Sequence, residues 1–179
     1  GFEVQVTGRS SQPVIGSQWA PEMFWDGRAS STFIDPQTGL VSIASGGALE
    51  SQAVAPLLSD VEMAFEGRTW DDLVGKMETV APLALGTDLP TDVAAILVGG
   101  TDYPDLFAAA FGSPGITAER IAFAIATYER TLVPDQTPFD LGTLTPQQQA
   151  GFNILNNNTV CFNCHIPPLF SDNEFYNIG

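Results

Sequence analysis

The stretch Cys161-Phe162-Asn163-Cys164-His165 constrains this chain more than any other. On a helical turn, Cys161 and Cys164 stand at i and i+3 and His165 at i+4, so the three side chains share one face. Cys-x-x-Cys-His is the attachment spacing for a c-type haem. The two thiols add to the porphyrin vinyl groups as thioethers, and the imidazole of His165 binds the iron. The other uses of a Cys-x-x-Cys pair fit less well. Zinc wants four ligands, yet these are the only 2 cysteines and His165 is the only histidine. A carboxylate as fourth ligand would complete an uncommon set. A thioredoxin-like dithiol wants a βαβ context, which the surrounding sequence lacks.

Charge narrows the partners. The chain has 179 residues, with Lys+Arg 6 against Asp+Glu 21 and a net charge of −15. Six scattered cations assemble no basic patch, which argues against nucleic acid and against an anionic membrane surface. A positively charged protein partner would be steered in quickly at low salt. Solubility in a salty or extracellular medium explains the same charge equally well. No apolar run reaches the roughly 18 residues of a membrane span. The start, Gly1-Phe2-Glu3-Val4, has no charged region of the kind that opens a signal peptide. Covalent haem c is attached outside the cytoplasm, so the expected location is periplasmic or extracellular.

The pattern along the chain predicts a mostly helical protein with long loops. Residues 1–24 read as irregular, with a polar turn cluster over Gly8–Pro13. Met23-Phe24-Trp25 followed by Asp26-Gly27 predicts a buried aromatic anchor beside a tight turn. Residues 30–48 read as a loop or small hairpin, with Leu40–Ile43 as its β-like run. A helical segment from Leu49 breaks at Pro56. Thr69 caps a helix running to about Glu78, with Asp71 and Asp72 in its first turn. Further helices are expected over Thr91–Val98, Pro104–Phe111 and Thr117–Leu132. In the last of these, Ile121, Ile125, Tyr128 and Leu132 recur at helical spacing. A stripe of this kind is more often core than a cofactor lining. Residues 133–144 read as a linker. Thr145-Pro146-x-Gln148 opens a helix with a capping box, and that helix leads into the cysteine pair.

Taken together, several segments resemble the bacterial di-haem cytochrome c peroxidases and their MauG-type relatives. They are Phe24-Trp25-Asp26-Gly27-Arg28-Ala29, then Gln52-Ala53-x-x-Pro56 followed by Glu62-Met63. Tyr103-Pro104-x-Leu106-Phe107, Tyr128-Glu129-Arg130-Thr131-Leu132 and Phe139-Asp140 follow in order. The run from Gln149-x-Gly151-Phe152 through the haem sequence to Phe175-x-Asn177-Ile178-Gly179 completes the set. Apart from the haem sequence no one segment is specific, but they cover most of the chain in order.

The resemblance implies two cytochrome c-like domains with one haem each. Residues 1–136 would be the remainder of the N-terminal peroxidatic domain, and 137–179 the start of the C-terminal electron-transfer domain. One haem would activate hydrogen peroxide. The other, on Cys161, Cys164 and His165, would take electrons from a small donor protein, a cytochrome c or a cupredoxin. By the same resemblance, Trp25 is the indole between the haems and Glu62 the distal carboxylate that moves a proton between the peroxide oxygens. Gln52 is the neighbour of Glu62 in that pocket. Arg28 has two readings, a partner for a haem propionate or for a nearby acid. The resemblance also raises a calcium ion shared by the domains, and a homodimer.

The chain departs from the family pattern in places. It holds a single Cys-x-x-Cys-His, and no histidine precedes Trp25. It stops 14 residues after His165, short of the Met or Tyr that binds the second haem's iron from the other side. The expectation is a piece of a longer di-haem protein. Two alternatives stand beside the peroxidase: a MauG-type oxidant of another protein, and a mono-haem electron carrier without peroxide chemistry. A carrier needs no distal acid, so Gln52 and Glu62 favour an enzyme.

Overall fold

The computed structural model describes residues 6–8, 10–158 and 160–177. Among them the architecture is helical: six α-helices, three single-turn 3-10 helices and one two-stranded hairpin, joined by long loops. The expected mostly α class with long loops is what this part of the chain adopts. No helix among the described residues is long and apolar enough to cross a membrane.

The hairpin pairs β1 (Phe33–Ile34) with β2 (Val41–Ile43), antiparallel, Phe33 opposite Ile43. Its turn is held by Asp35, whose carboxylate accepts from the Gln37 amide at 3.0 Å and the Thr38 hydroxyl at 2.7 Å. An aspartate that bonds its own following backbone mimics a turn. Phe33 is fully buried and meets the ring of Phe123 edge-on, at 6.2 Å between centroids.

Helix α1 (Ala48–Val54) follows and gives way to a 3-10 turn at Pro56–Leu58. Proline cannot donate into the helix ladder but suits the first position of a new turn. Helix α2 (Trp70–Met77) starts at Thr69 as expected, and Asp72 reaches back to complete a capping box. Helix α3 covers Thr91–Leu97. Helix α4 (Tyr103–Phe111) begins one residue earlier than the sequence pattern suggests. Asp102 is its cap, and it too forms a capping box, with Asp105. Gly112 ends α4 at φ 76°, a left-handed position that glycine takes without steric cost.

Helix α5 (Ala118–Glu129) is capped by Thr117, but it stops three residues short of the expected Leu132. The reason lies in its last turn. The amide and the hydroxyl of Thr131 both bond the Tyr128 carbonyl, at 2.9 and 2.7 Å, which tightens the chain and turns it out of the helix. The expected apolar stripe is corrected with it. Ile121 is buried and Ile125 half-buried, but Tyr128 faces solvent. The deeply buried face carries Ala118, Ala122, Ala126 and Glu129. Helix α6 (Pro146–Asn158) opens with the Thr145–Gln148 pair in reciprocal hydrogen bonds.

Two apolar clusters hold these elements. Met23, Ala29, Ala48, Leu49 and Ala126 form one, where α1 lies on α5. Small residues let the two helices approach closely. Leu73, Phe107, Ile116 and Ile121 form the other and join α2 and α4 to α5. Burying a large apolar side chain contributes about 1.5–3 kcal/mol, so this second cluster decides how α2 and α4 dock. Beyond Pro138 a separate aromatic group forms. Phe139 meets Phe152 and Phe170 at 5.5 and 4.9 Å, and Phe162 touches both of those rings.

Candidate functional site

Helix α1, helix α5, the N-terminal segment and two loops converge on one cavity of about 520 Å³. Its walls include Met23, Phe24, Trp25, Arg28, Gln52, Pro56, Val61, Glu62 and Glu129. Four residues singled out in the sequence, Trp25, Arg28, Gln52 and Glu62, therefore meet on one concave surface, although 37 positions separate the first from the last. Each arrives by a different local device. Gln52 stands on α1, whose angle is fixed by the small-residue contact with α5. Glu62 lies in the loop after the 3-10 turn, and its amide donates to the Ser59 carbonyl at 3.1 Å. Its side chain is exposed.

Trp25 and Arg28 come from a small loop. Met23 and Ala29 exchange backbone hydrogen bonds of 2.9 and 3.3 Å, closing residues 24–28 into a projection. Phe24 takes a left-handed backbone (φ 66°) at its base. Trp25 corrects an expectation: it is 58% exposed, not a buried anchor. The Asp26-Gly27 turn carries it outward, and Phe24 and Met23 pack inward in its place. The indole is still held, because Nε1–H donates to the Ser10 carbonyl at 2.8 Å. Arg28 pairs with Asp26 at 2.9 Å and lies over the Phe24 ring, 3.9 Å from its centroid. Desolvation is the largest single effect on the Asp26 carboxyl and raises it, but the hydrogen bonds and charge of Arg28 together outweigh it and hold the carboxyl below the usual range.

A half-buried ion pair braces α1 against the end of α5. Glu50 is 2% exposed and accepts both guanidinium nitrogens of Arg130, at 2.6 and 2.8 Å. A bidentate pair of this kind fixes orientation as well as charge. Sequence reading of the individual residues missed both members of this pair and missed Glu129. The available signal was periodicity: Glu129 follows Ala118, Ala122 and Ala126 on one face of α5. Burial pushes the Glu129 carboxyl up, Arg130 opposing and Glu50 adding to the rise.

The cysteine pair lies apart from this cavity. Cys161–Asn163 form a 3-10 turn, and the His165 amide returns to the Cys161 carbonyl at 2.9 Å. Neither cysteine is in a disulfide. His165 Nδ1 is 2.9 Å from the Phe170 carbonyl oxygen. A carbonyl only accepts, so Nδ1 carries the hydrogen and Nε2 keeps the lone pair that binds a metal. Val160, Ile166 and Leu169 leave apolar surface beside the thiols, and four phenylalanines pack behind them. These residues fit a covalent haem: two thiols on one turn, an imidazole in the right tautomer, and apolar surroundings. Downstream, the Tyr176 hydroxyl donates to Asp172 at 2.7 Å, and that carboxylate pushes the phenol up to about 12. Among the described residues, no group of three or more His, Cys, Asp and Glu side chains stands together as a ready metal site.

The two segments also touch. A Cβ on Gly27 would lie 3.0 Å from the ring of Phe175, so glycine is what admits that ring beside the Trp25 loop.

Comparison with known proteins gives the family. Residues 1–147 match the family model for di-haem cytochrome c peroxidase. The chain belongs to that family. It is 28% identical over 179 residues to the methylamine utilization protein MauG of Methylophilus methylotrophus, covering 96% of this chain and 42% of that protein. It is 28% identical over 172 residues to the cytochrome c peroxidase Ccp of Escherichia coli K12, covering 93% of this chain and 28% of that protein. With the cytochrome-c peroxidase IdrP1 of Pseudomonas sp. strain SCT it shares 32% over 123 residues, 62% of this chain and 32% of that protein. The chain thus spans less than half the length of each of these relatives.

Proposed function

We propose that this chain is part of a di-haem c-type peroxidase that reduces hydrogen peroxide to water with electrons from a small redox protein, a cytochrome c or a cupredoxin. Residues 1–136 then belong to the N-terminal peroxidatic domain and 137–179 open the C-terminal electron-transfer domain. The observation that carries this reading is the meeting of Gln52 and Glu62 with Trp25 on one cavity. An electron carrier needs no such pocket.

Bound haem supplies the iron that activates peroxide and, on Cys161, Cys164 and His165, the centre where donor electrons enter. The residues of this chain do the rest. Glu62 takes a proton from one peroxide oxygen and gives it to the other, since one carboxylate within reach of both serves as base and then as acid. Gln52 orients peroxide with its amide. The indole of Trp25, anchored on Ser10, lies on the electron path. His165, oriented by Phe170, presents Nε2 to the iron. Arg28 stays with Asp26 and supports the Trp25 loop. A periplasmic or extracellular location accords with covalent haem. A calcium ion shared by the domains and a homodimer belong to the same reading.

The relatives named MauG support a second reading, in which the oxidising power of the site is spent on another protein. The test is peroxide-dependent oxidation of a reduced small cytochrome or cupredoxin by the full-length protein. Turnover supports the peroxidase. Absence of turnover in a protein carrying two haems by intact mass supports the MauG-type reading, and one haem by mass without turnover supports the carrier.

A further inference from the structure

Glu129 is the acid of the cavity that the peroxidase reading leaves without a task. It lies at the end of α5, is 9% exposed and lines the same wall as Glu62 and Gln52. One of its carboxyl oxygens is buried without a hydrogen-bond partner among the described residues. The neighbouring cation, Arg130, acts on it through its charge but gives it no hydrogen bond. Arg130 turns away to hold Glu50 with both nitrogens, at 2.6 and 2.8 Å, and to bond the Gly46 carbonyl. Arg28, on the same cavity, is paired with Asp26. A buried carboxylate without a partner costs several kcal/mol, and the usual escape is to keep the proton.

The reaction has a matching need. Reducing one peroxide to two waters consumes two electrons and two protons. The proton that Glu62 moves comes from peroxide itself, so it completes the first water only. The oxygen atom left behind takes two electrons from the redox-protein donor and two protons from elsewhere to leave as the second water. We propose that Glu129 holds a proton at the cavity wall and delivers it toward that second water, being reprotonated from solvent in each cycle, while the other proton comes directly from solvent. This inference rests on the peroxidase reading above. The charged groups around it are Arg130 beside it at the C-cap of α5, Glu50 on α1, and Arg28 and Glu62 on the shared cavity; the first two are paired with each other. Burial raises the Glu129 carboxyl in the direction the role needs.

The test uses the full-length di-haem protein with Glu129→Gln and Glu129→Asp variants. Infrared spectra at neutral pH are expected to show a protonated-carboxyl C=O band that the Gln variant lacks and the Asp variant keeps. The Gln variant is expected to lose about 10²-fold in kcat, the low end of general acid–base effects, with its haem absorption unchanged and the pH dependence of kcat altered. Should the Gln variant fail to take up haem, the Asp variant carries the test by retaining both band and turnover. A band identical in wild type and Gln variant, or wild-type kcat and pH profile in the Gln variant, overturns the relay alone. A wild-type protein that turns over no peroxide overturns the peroxidase reading and the relay with it.

Discussion

Gly27 shows how much a single residue governs here. Its φ of 70° and the ring of Phe175 leave no room for a methyl group, which would also meet the Glu22 carboxylate at 2.8 Å. Gly27→Ala is expected to destabilise the protein by about 1–3 kcal/mol, read as a lower thermal midpoint; an unchanged midpoint would show that the Trp25 loop and residue 175 do not meet. Glu129 gives a second residue-level prediction, and its sign follows from burial. A raised carboxyl in the folded state binds its proton more tightly than in the unfolded chain. Its favourable contribution is complete at low pH and is lost as pH rises from the ordinary carboxylate range, about 4, through the raised value. Glu129→Gln should therefore melt higher than wild type at pH 7, and the gap should close as pH falls to about 4. Such residues were only partly legible in sequence. The Asp26-Gly27 turn was visible, but whether Trp25 points in or out depends on Phe24 and Met23 taking the inward position, which no local signal states.

Elements were more legible than residues, because their signals are local. Thr69 with Asp72, Thr145 with Gln148 and the stop at Gly112 each act within a few positions, and each is where the sequence pattern puts it. The end of α5 was missed because the Thr131 hydroxyl competes with the helix ladder. The contact between α1 and α5 was invisible, since Glu50 and Arg130 are 80 positions apart. That pair is the brace that sets Gln52. Arg130→Ala leaves the Glu50 carboxylate buried and unpaired. Its expected cost is about 2–3 kcal/mol, below the 3–5 of a fully buried pair, because the Arg130 side chain is 39% exposed. A denaturant midpoint shift measures it, and no shift would show that α1 docks without the pair. The cap of α2 has a pH dependence as well. The hydrogen bond from Thr69 lowers the Asp72 carboxyl. Its contribution is present above the ordinary Asp value, about 4, and fades as pH falls through the lowered one. Protection of the first-turn amides of α2, taken relative to the unfolded chain at the same pH, should fall on acidification and should lose that dependence in Thr69→Ala.

At the scale of the whole molecule, charge and cavity act together. A net charge of −15 surrounds the site with a negative field. Screening lengths shrink from about 30 Å at 0.01 M salt to about 8 Å at 0.15 M. With a basic cytochrome as donor, kcat/KM should fall across that range; a flat or rising response would show that this charge does not steer the donor. On the proposed function, the cavity joining α1, α5 and the Trp25 loop is a peroxide site worked by Glu62. Peroxide turnover by the full-length protein beside its Glu62→Gln variant tests it most directly. A loss of about 10²–10⁴-fold in kcat with the haem spectrum unchanged is expected. Turnover of the variant at the wild-type rate would contradict it.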